Sequence, residues 1–321
     1  MLSKPLSRLP LHPMRKALFP LYAVAVIALL LSGCFNKRIS SLPFTITPAQ
    51  YRTTIPFQVV NGVIRINVKI NDDADAIMSL DNNSPTSIIA DSLYLLKNLT
   101  LLHFNAGLLT PDQSFSMMNL YQYRGGFRIG QILYNNFYIR GHHSTGIVNA
   151  DSLNRTETGI LGYDIIRNGT WIFDFKNNIL RIASDIGEAD LPEDAIKISA
   201  RFNISNRIFL RTKIEGCKQK VLLDLGYNGS VLIPQKEFNK IHFKGNVEKI
   251  EGMSASLSGQ RKASYQRVKN AGMIIDSNNF TADVITNNIV SIRHGLLGVS
   301  FFQQYHFLIL DFVNHAVYMV R

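Results

Sequence analysis

The sequence predicts an all-β fold made of two copies of one unit, behind an N-terminal export leader. Three observations predict it. Segments alternating apolar and polar residues dominate the chain after residue 50, and half-buried strands read that way. Four features recur in the same order at near-constant spacing, the mark of an internal duplication. The first 34 residues follow the order of a secretory signal.

The leader comes first. Residues 1–16 hold Lys4, Arg8, Arg15 and Lys16 and no acid, and residues 17–31 are apolar. That stretch is too short to span a bilayer comfortably. Leu31-Ser32-Gly33-Cys34 then resembles the lipobox of bacterial lipoproteins. The resemblance implies removal of residues 1–33 and a diacylglyceryl thioether on Cys34. It implies a lipid-anchored protein of the cell envelope. Phe35, where an Asp would retain the protein, implies the outer membrane, facing the periplasm. Residues 34–49 are polar, carry Pro43 and Pro48, and are expected to form a tether.

The repeat follows. Ile64–Ile70 and Phe209–Ile214 alternate as strands do. Polar turns at Asn71–Asp75 and Glu215–Lys218 lead into second apolar strands ending in Asp81 and Asp224. Gly159-Ile160-Leu161-Gly162 is answered by Gly295-Leu296-Leu297-Gly298. Trp171-Ile172-Phe173-Asp174-Phe175 is answered by Leu308-Ile309-Leu310-Asp311-Phe312. The offsets are 143 at the first Asp, 136 at the Gly and 137 at the later Asp. Acidic residues 185–194, with Gly187 and Pro192, read as a linker. The expected units are then 50–184 and 195–321.

Composition narrows the chemistry. The chain has 34 Lys+Arg against 23 Asp+Glu, a net +11, yet no Lys/Arg run forms a nucleic-acid stripe. A phospholipid surface is an equally good sink for such mild positive charge. Cys34 and Cys217 are the only cysteines, which excludes a disulfide framework and a Cys-based metal centre. His142-His143 has no further ligand at metal spacing, so no metal or cofactor is expected. Gly125–Gly130 has the wrong spacing for a dinucleotide loop and reads as a β-turn. Asp174 and Asp311 sit late in strands and read as turn or barrel-supporting residues.

The unit is strand, turn, strand ending in Asp, a long middle, apolar-apolar-Gly, then strand-Asp-Phe. It resembles the retropepsin-like aspartic protease family in its bacterial lipoprotein branch, over nearly all of 55–321. The resemblance implies two tandem closed β-barrel domains. It implies Asp81 and Asp224 as catalytic residues, and Gly162 and Gly298 as glycines supporting their loops. It implies flap hairpins, with candidates at Ser114–Tyr121 and Gly252–Arg261. It implies a polypeptide substrate and an intrachain pseudo-dimer. Two carboxylates held about 3 Å apart share one proton. The ionised one draws a proton from water while the protonated one polarises the peptide carbonyl.

The motifs depart from the family's Asp-Thr-Gly. Asn82-Asn83 follows Asp81, and Leu225-Gly226 follows Asp224. The family's Thr hydroxyl grips the opposite loop. Leu225 has no hydroxyl, and Asn82 can hydrogen-bond with a different reach. Glycine suits unusual dihedrals and close approach, and Asn83 substitutes because Asn tolerates positive φ. The loop shape is therefore expected to survive while the grip is lost. The expected function is an aspartic endopeptidase. The alternative is an inactive pseudo-protease acting as a peptide-binding or scaffold lipoprotein.

Overall fold

Alternation decides what faces inward. Along Ile208–Ile214, Ile208, Leu210, Thr212 and Ile214 are buried while Arg211 and Lys213 face solvent. The computed structural model describes residues 45–71, 74–89, 99–109, 115–141, 158–187, 191–205, 207–256, 259–287 and 292–321. The leader, Cys34, Pro43 and His142-His143 lie outside them. Among the described residues no helix is long and apolar enough to cross a membrane.

The fold is all-β. The first half supplies β1 (Thr45–Thr47), β2 (Arg52–Val60), β3 (Val63–Ile70), β4 (Ala74–Leu80), β5 (Ser87–Ile89), β6 (Leu99–Leu109), β7 (Phe115–Tyr123), β8 (Phe127–Ile129), β9 (Ile132–Asn135), β10 (Phe137–Gly141), β11 (Gly159–Leu161), β12 (Thr170–Asp174) and β13 (Ile179–Ala183). The second supplies β14 (Ile196–Ile198), β15 (Ala200–Phe202), β16 (Ile208–Ile214), β17 (Cys217–Leu223), β18 (Val231–Leu232), β19 (Glu248–Ser256), β20 (Gly259–Ile275), β21 (Asn278–Asn287), β22 (Gly295–Leu297), β23 (Phe307–Asp311) and β24 (Ala316–Val320).

In the second half β16, β17, β22, β18, β21 and β20 pair in that order, and β20 returns to β16. That closes a six-stranded barrel. The first half follows the same path through β3, β4, β11, β5, β10 and β7. Its return to β3 is made by β8, which follows β7 after Arg124–Gly126. Gly125 is needed at that break, because a Cβ there would sit 2.5 Å from Tyr123 Oη and Asn71 Oδ1.

One further sheet is shared. β2, β13, β12, β23, β24 and β14 pair in that order. At its centre Ile172 faces Ile309, with Thr170 opposite Asp311 and Asp174 opposite Phe307. Ile309 is the repeat counterpart of Ile172 at the offset of 137. The copies therefore meet about a local two-fold axis, and residues 44–321 form one compact unit. Trp171 and Phe173 on β12 are fully buried beneath this sheet, and Phe57 packs edge-on against Phe173 at 6.1 Å.

Several local expectations change. The turn expected at Glu215–Lys218 contracts to Glu215 and Gly216, at φ 46° and 83°, because Cys217 and Lys218 already belong to β17. Asp75 likewise lies in β4. The candidate flap Ser114–Tyr121 falls on β7, antiparallel to β6, with Ser114 outside the described residues. Gly252–Arg261 straddles the β19–β20 hairpin. Asp174 and Asp311 cap turns in the same way: each accepts the backbone N–H and side-chain Nδ2 of the residue three positions on, Asn177 and Asn314.

Candidate active site

Two matched loops carry the acids. β4 runs parallel to β11 and β17 parallel to β22. Each acid leaves its strand still tied to that neighbour. Asp81 N–H donates to Leu161 O at 3.0 Å, and Asp224 N–H to Leu297 O at 2.9 Å. Each then folds into a turn, with Ser84 N–H on Asp81 O and Tyr227 N–H on Asp224 O, both at 3.2 Å. The residue two positions on donates its N–H to each carboxylate: Asn83 to Asp81 Oδ1 at 2.8 Å, and Gly226 to Asp224 Oδ1 at 2.9 Å. Ser84 N–H adds a second donor to Asp81 at 3.0 Å.

Gly162 and Gly298 sit directly under these loops. A Cβ on Gly162 would lie 2.5 Å from Thr86 C, and one on Gly298 2.3 Å from Tyr227 O. Their backbone is extended, so the requirement is space rather than conformation. The same holds at Gly226, whose Cβ would lie 2.6 Å from Asp81 Cγ. Neither Gly226 nor Asn83 has positive φ. That corrects the conformational reason expected for both: Gly226 is small because the opposite acid packs on it.

The structure brings Asp81 and Asp224 together. Both are half-buried, and Gly226 lies between them, bonded to one and packed on the other. Burial pushes Asp224 up to about 7, with the charge of Asp81 adding to the rise. The Asn83 side chain, Gly226 N–H and Arg207 oppose it. Burial also raises Asp81, against the N–H groups of Asn83 and Ser84 and the charge of Arg207. Two such groups titrate as a unit, each opposing the ionisation of the other.

The grip between the loops is present in one direction, which corrects the expectation of its loss. The Asn82 carboxamide, 1% exposed, accepts Leu225 N–H at 2.7 Å and donates to Leu223 O at 3.1 Å. One amide supplies both acceptor and donor, as a hydroxyl can. Leu225 is fully buried and its hydrocarbon side chain returns nothing. Asn83 adds a second donor to Leu223 O at 3.0 Å and also reaches the Asp224 carboxylate.

Three neighbours were missed in the sequence. Arg207 is exposed, yet its charge acts on both acids. The two-residue turn sets this: the β16–β17 register, Ile214 opposite Cys217 and Phe209 opposite Leu222, extends to Arg207 opposite Asp224, whereas the four-residue turn expected from the sequence gives another register. Tyr227 is held protonated by burial, then by the nearness of Tyr265 of β20 and of Asp224. Asp164, buried below the first loop, is pushed up to about 6 by burial. It accepts Ser87 Oγ–H at 2.9 Å, and Ser87 Oγ accepts Gly162 N–H at 3.0 Å. Among the described residues no group of acids, His or Cys is arranged to hold a metal.

The architecture is similar to that of basic 7S globulin from soybean and of conglutin gamma, a basic 7S globulin from lupine seeds. Each comparison has a TM-score of 0.51 and 10% identity, covering 84% of this chain and 95% of the other. At that identity the likeness is one of fold alone. No family model and no curated protein matches the chain.

Proposed function

We propose that this protein is an aspartic-type endopeptidase whose halves are retropepsin-like barrels, each supplying one acid, Asp81 and Asp224. One observation carries the reading: two half-buried carboxylates packed on Gly226, each held by the N–H two residues on, and each raised. The ionised member takes a proton from a water as its oxygen bonds to the peptide carbonyl carbon. The protonated member gives its proton to the carbonyl oxygen, which yields a gem-diol. Collapse returns a diol proton to a carboxylate, protonates the amide nitrogen and breaks the C–N bond. In this reading Cys34 carries lipid, and the cleft works in the periplasm on polypeptides.

The test is cleavage of an unstructured polypeptide by the full chain between about pH 3.5 and 7.5, with Asp81→Asn and Asp224→Asn beside it. Each single variant should lose cleavage by about a thousandfold or more. Absence of cleavage over that range, or its persistence in both variants, overturns the proposal.

A second reading keeps the cleft and drops the chemistry, leaving a peptide-binding lipoprotein. What favours it is the Asn83 carboxamide on Asp224, where the family has a bare glycine. It expects Asp81→Asn to bind peptide as tightly as the parent chain, with no cleavage by either.

A further inference from the structure

The β16–β17 hairpin carries like charges face to face. β16 exposes Arg211 and Lys213, and β17 exposes Lys218 and Lys220. The register sets Arg211 directly opposite Lys220, and Lys213 directly opposite Lys218. Arg201 lies opposite Phe209 on the same face, whose ring Lys220 Nζ covers at 4.1 Å. Like charges directly opposite weaken a strand pair. Among the described residues none of these five cations has an ion-pair partner. The neighbouring acids are engaged elsewhere: Glu215 accepts Gly272 N–H and Asp276 accepts Ser199 N–H, both at 2.8 Å.

The other copy of the unit is an internal control. In the β3–β4 hairpin Lys69 lies opposite Asp75, and the two form an ion pair at 3.4 Å. Lys213 and Lys218 occupy the matching places. The imbalance extends to the whole half: residues 195–321 hold 17 Lys+Arg against 8 Asp+Glu, whereas residues 50–184 hold 11 against 10. One copy of the duplicated hairpin pairs its cross-strand lysine with an acid, and the other sets it against a second lysine.

We propose that this face of β16–β17 docks on anionic phospholipid headgroups. Charge complementarity supplies the attraction, about fivefold in affinity per cation near the surface. Chain length supplies the nearness. The 11 residues from Cys34 to Thr45 reach at most about 40 Å, so a lipid on Cys34 confines the folded part to the headgroup zone. The inference rests on the lipid-anchor reading of Cys34 for that nearness alone. Docking would fix the face of the protein turned to the membrane, and with it the direction in which the cleft opens.

The test uses the full chain on vesicles of phosphatidylcholine alone and of phosphatidylcholine with about 30% phosphatidylglycerol. Labelling of Lys213, Lys218 and Lys220 by an amine reagent is read by mass spectrometry, with Lys240 as reference. Labelling should fall about fivefold or more on the anionic vesicles only, and recover in about 1 M salt. The Lys218→Asp, Lys220→Ser double variant recreates the cross-strand pair of the first half, so it should fold normally. Its Lys213 should stay fully labelled on both vesicles. Equal labelling of the parent chain on the two vesicles overturns the proposal. So does equal protection by poly-glutamate without vesicles, which would assign the face to an acidic polypeptide. A chain that fails to sediment with phosphatidylcholine lacks the anchor. Its face is then judged by sedimentation with the anionic vesicles, where no binding overturns the proposal.

Discussion

At the scale of single residues, the contact between the two acid loops depends on a carboxamide. Asn82 spans the gap between the loops with one buried carboxamide. Asn82→Ala leaves Leu225 N–H and Leu223 O without that partner and should cost about 1–3 kcal/mol. Asn82→Thr should recover part of it, and denaturant unfolding measures both. The acids themselves make stability depend on pH. Asp224 has a folded-state value of about 7 against an ordinary 3.8. Between those values the folded chain holds a proton that the unfolded chain has released. The stabilisation is therefore complete below about pH 4 and is lost as pH rises through about 7. Asp224→Asn should flatten that fall, melting close to the parent near pH 4 and above it near pH 8. Arg207 favours the ionised form of both acids, so Arg207→Ala should shift any pH–rate profile upward.

At the scale of elements, the two loops work because a strand-end glycine lies under each. Gly298 donates its N–H to Ser230 O at 2.8 Å, and Val299 N–H reaches Tyr227 O at 2.9 Å. A methyl there meets backbone oxygens, which cannot swing aside as a side chain can. Gly298→Ala should therefore destabilise by about 1–3 kcal/mol and disturb the Asp224 loop before anything else. A Tm drop of several degrees is the expected readout, with loss of the cleavage proposed for Asp81 and Asp224 beside it. Asp174-Phe175-Lys176-Asn177 and Asp311-Phe312-Val313-Asn314 show how a turn device is copied with its element. In both, the Asp bonds the N–H and the side chain of the Asn.

At the scale of the molecule, the shared sheet makes the halves one cooperative body. β12 and β23 pair over five residues through the axis at Ile172 and Ile309. The inter-loop bonds of Asn82 cross the same boundary. Calorimetry should find a single transition whose calorimetric and van't Hoff enthalpies agree. Two separate transitions would show that the sheet does not couple the halves.

What the sequence determined by itself was an all-β fold, the repeated strands that end in Asp81 and Asp224, and the repeated glycines at 162 and 298. Those are local or repeated signals: alternation fixes which side of a strand is buried, and repetition makes a lone Asp visible. The conversion of Asn82 into a grip was decided by tertiary structure, because Leu223 and Leu225 are some 140 positions away along the chain. The smallness of Gly226 was decided the same way, by the opposite carboxylate and not by its own dihedrals. Arg207 beside the dyad and the cation-on-cation register of β16–β17 needed the exact two-residue turn, since one residue of slip turns every side chain to the other face. Long-range pairing sets which groups meet, and a charge or an amide takes its energy from what it meets.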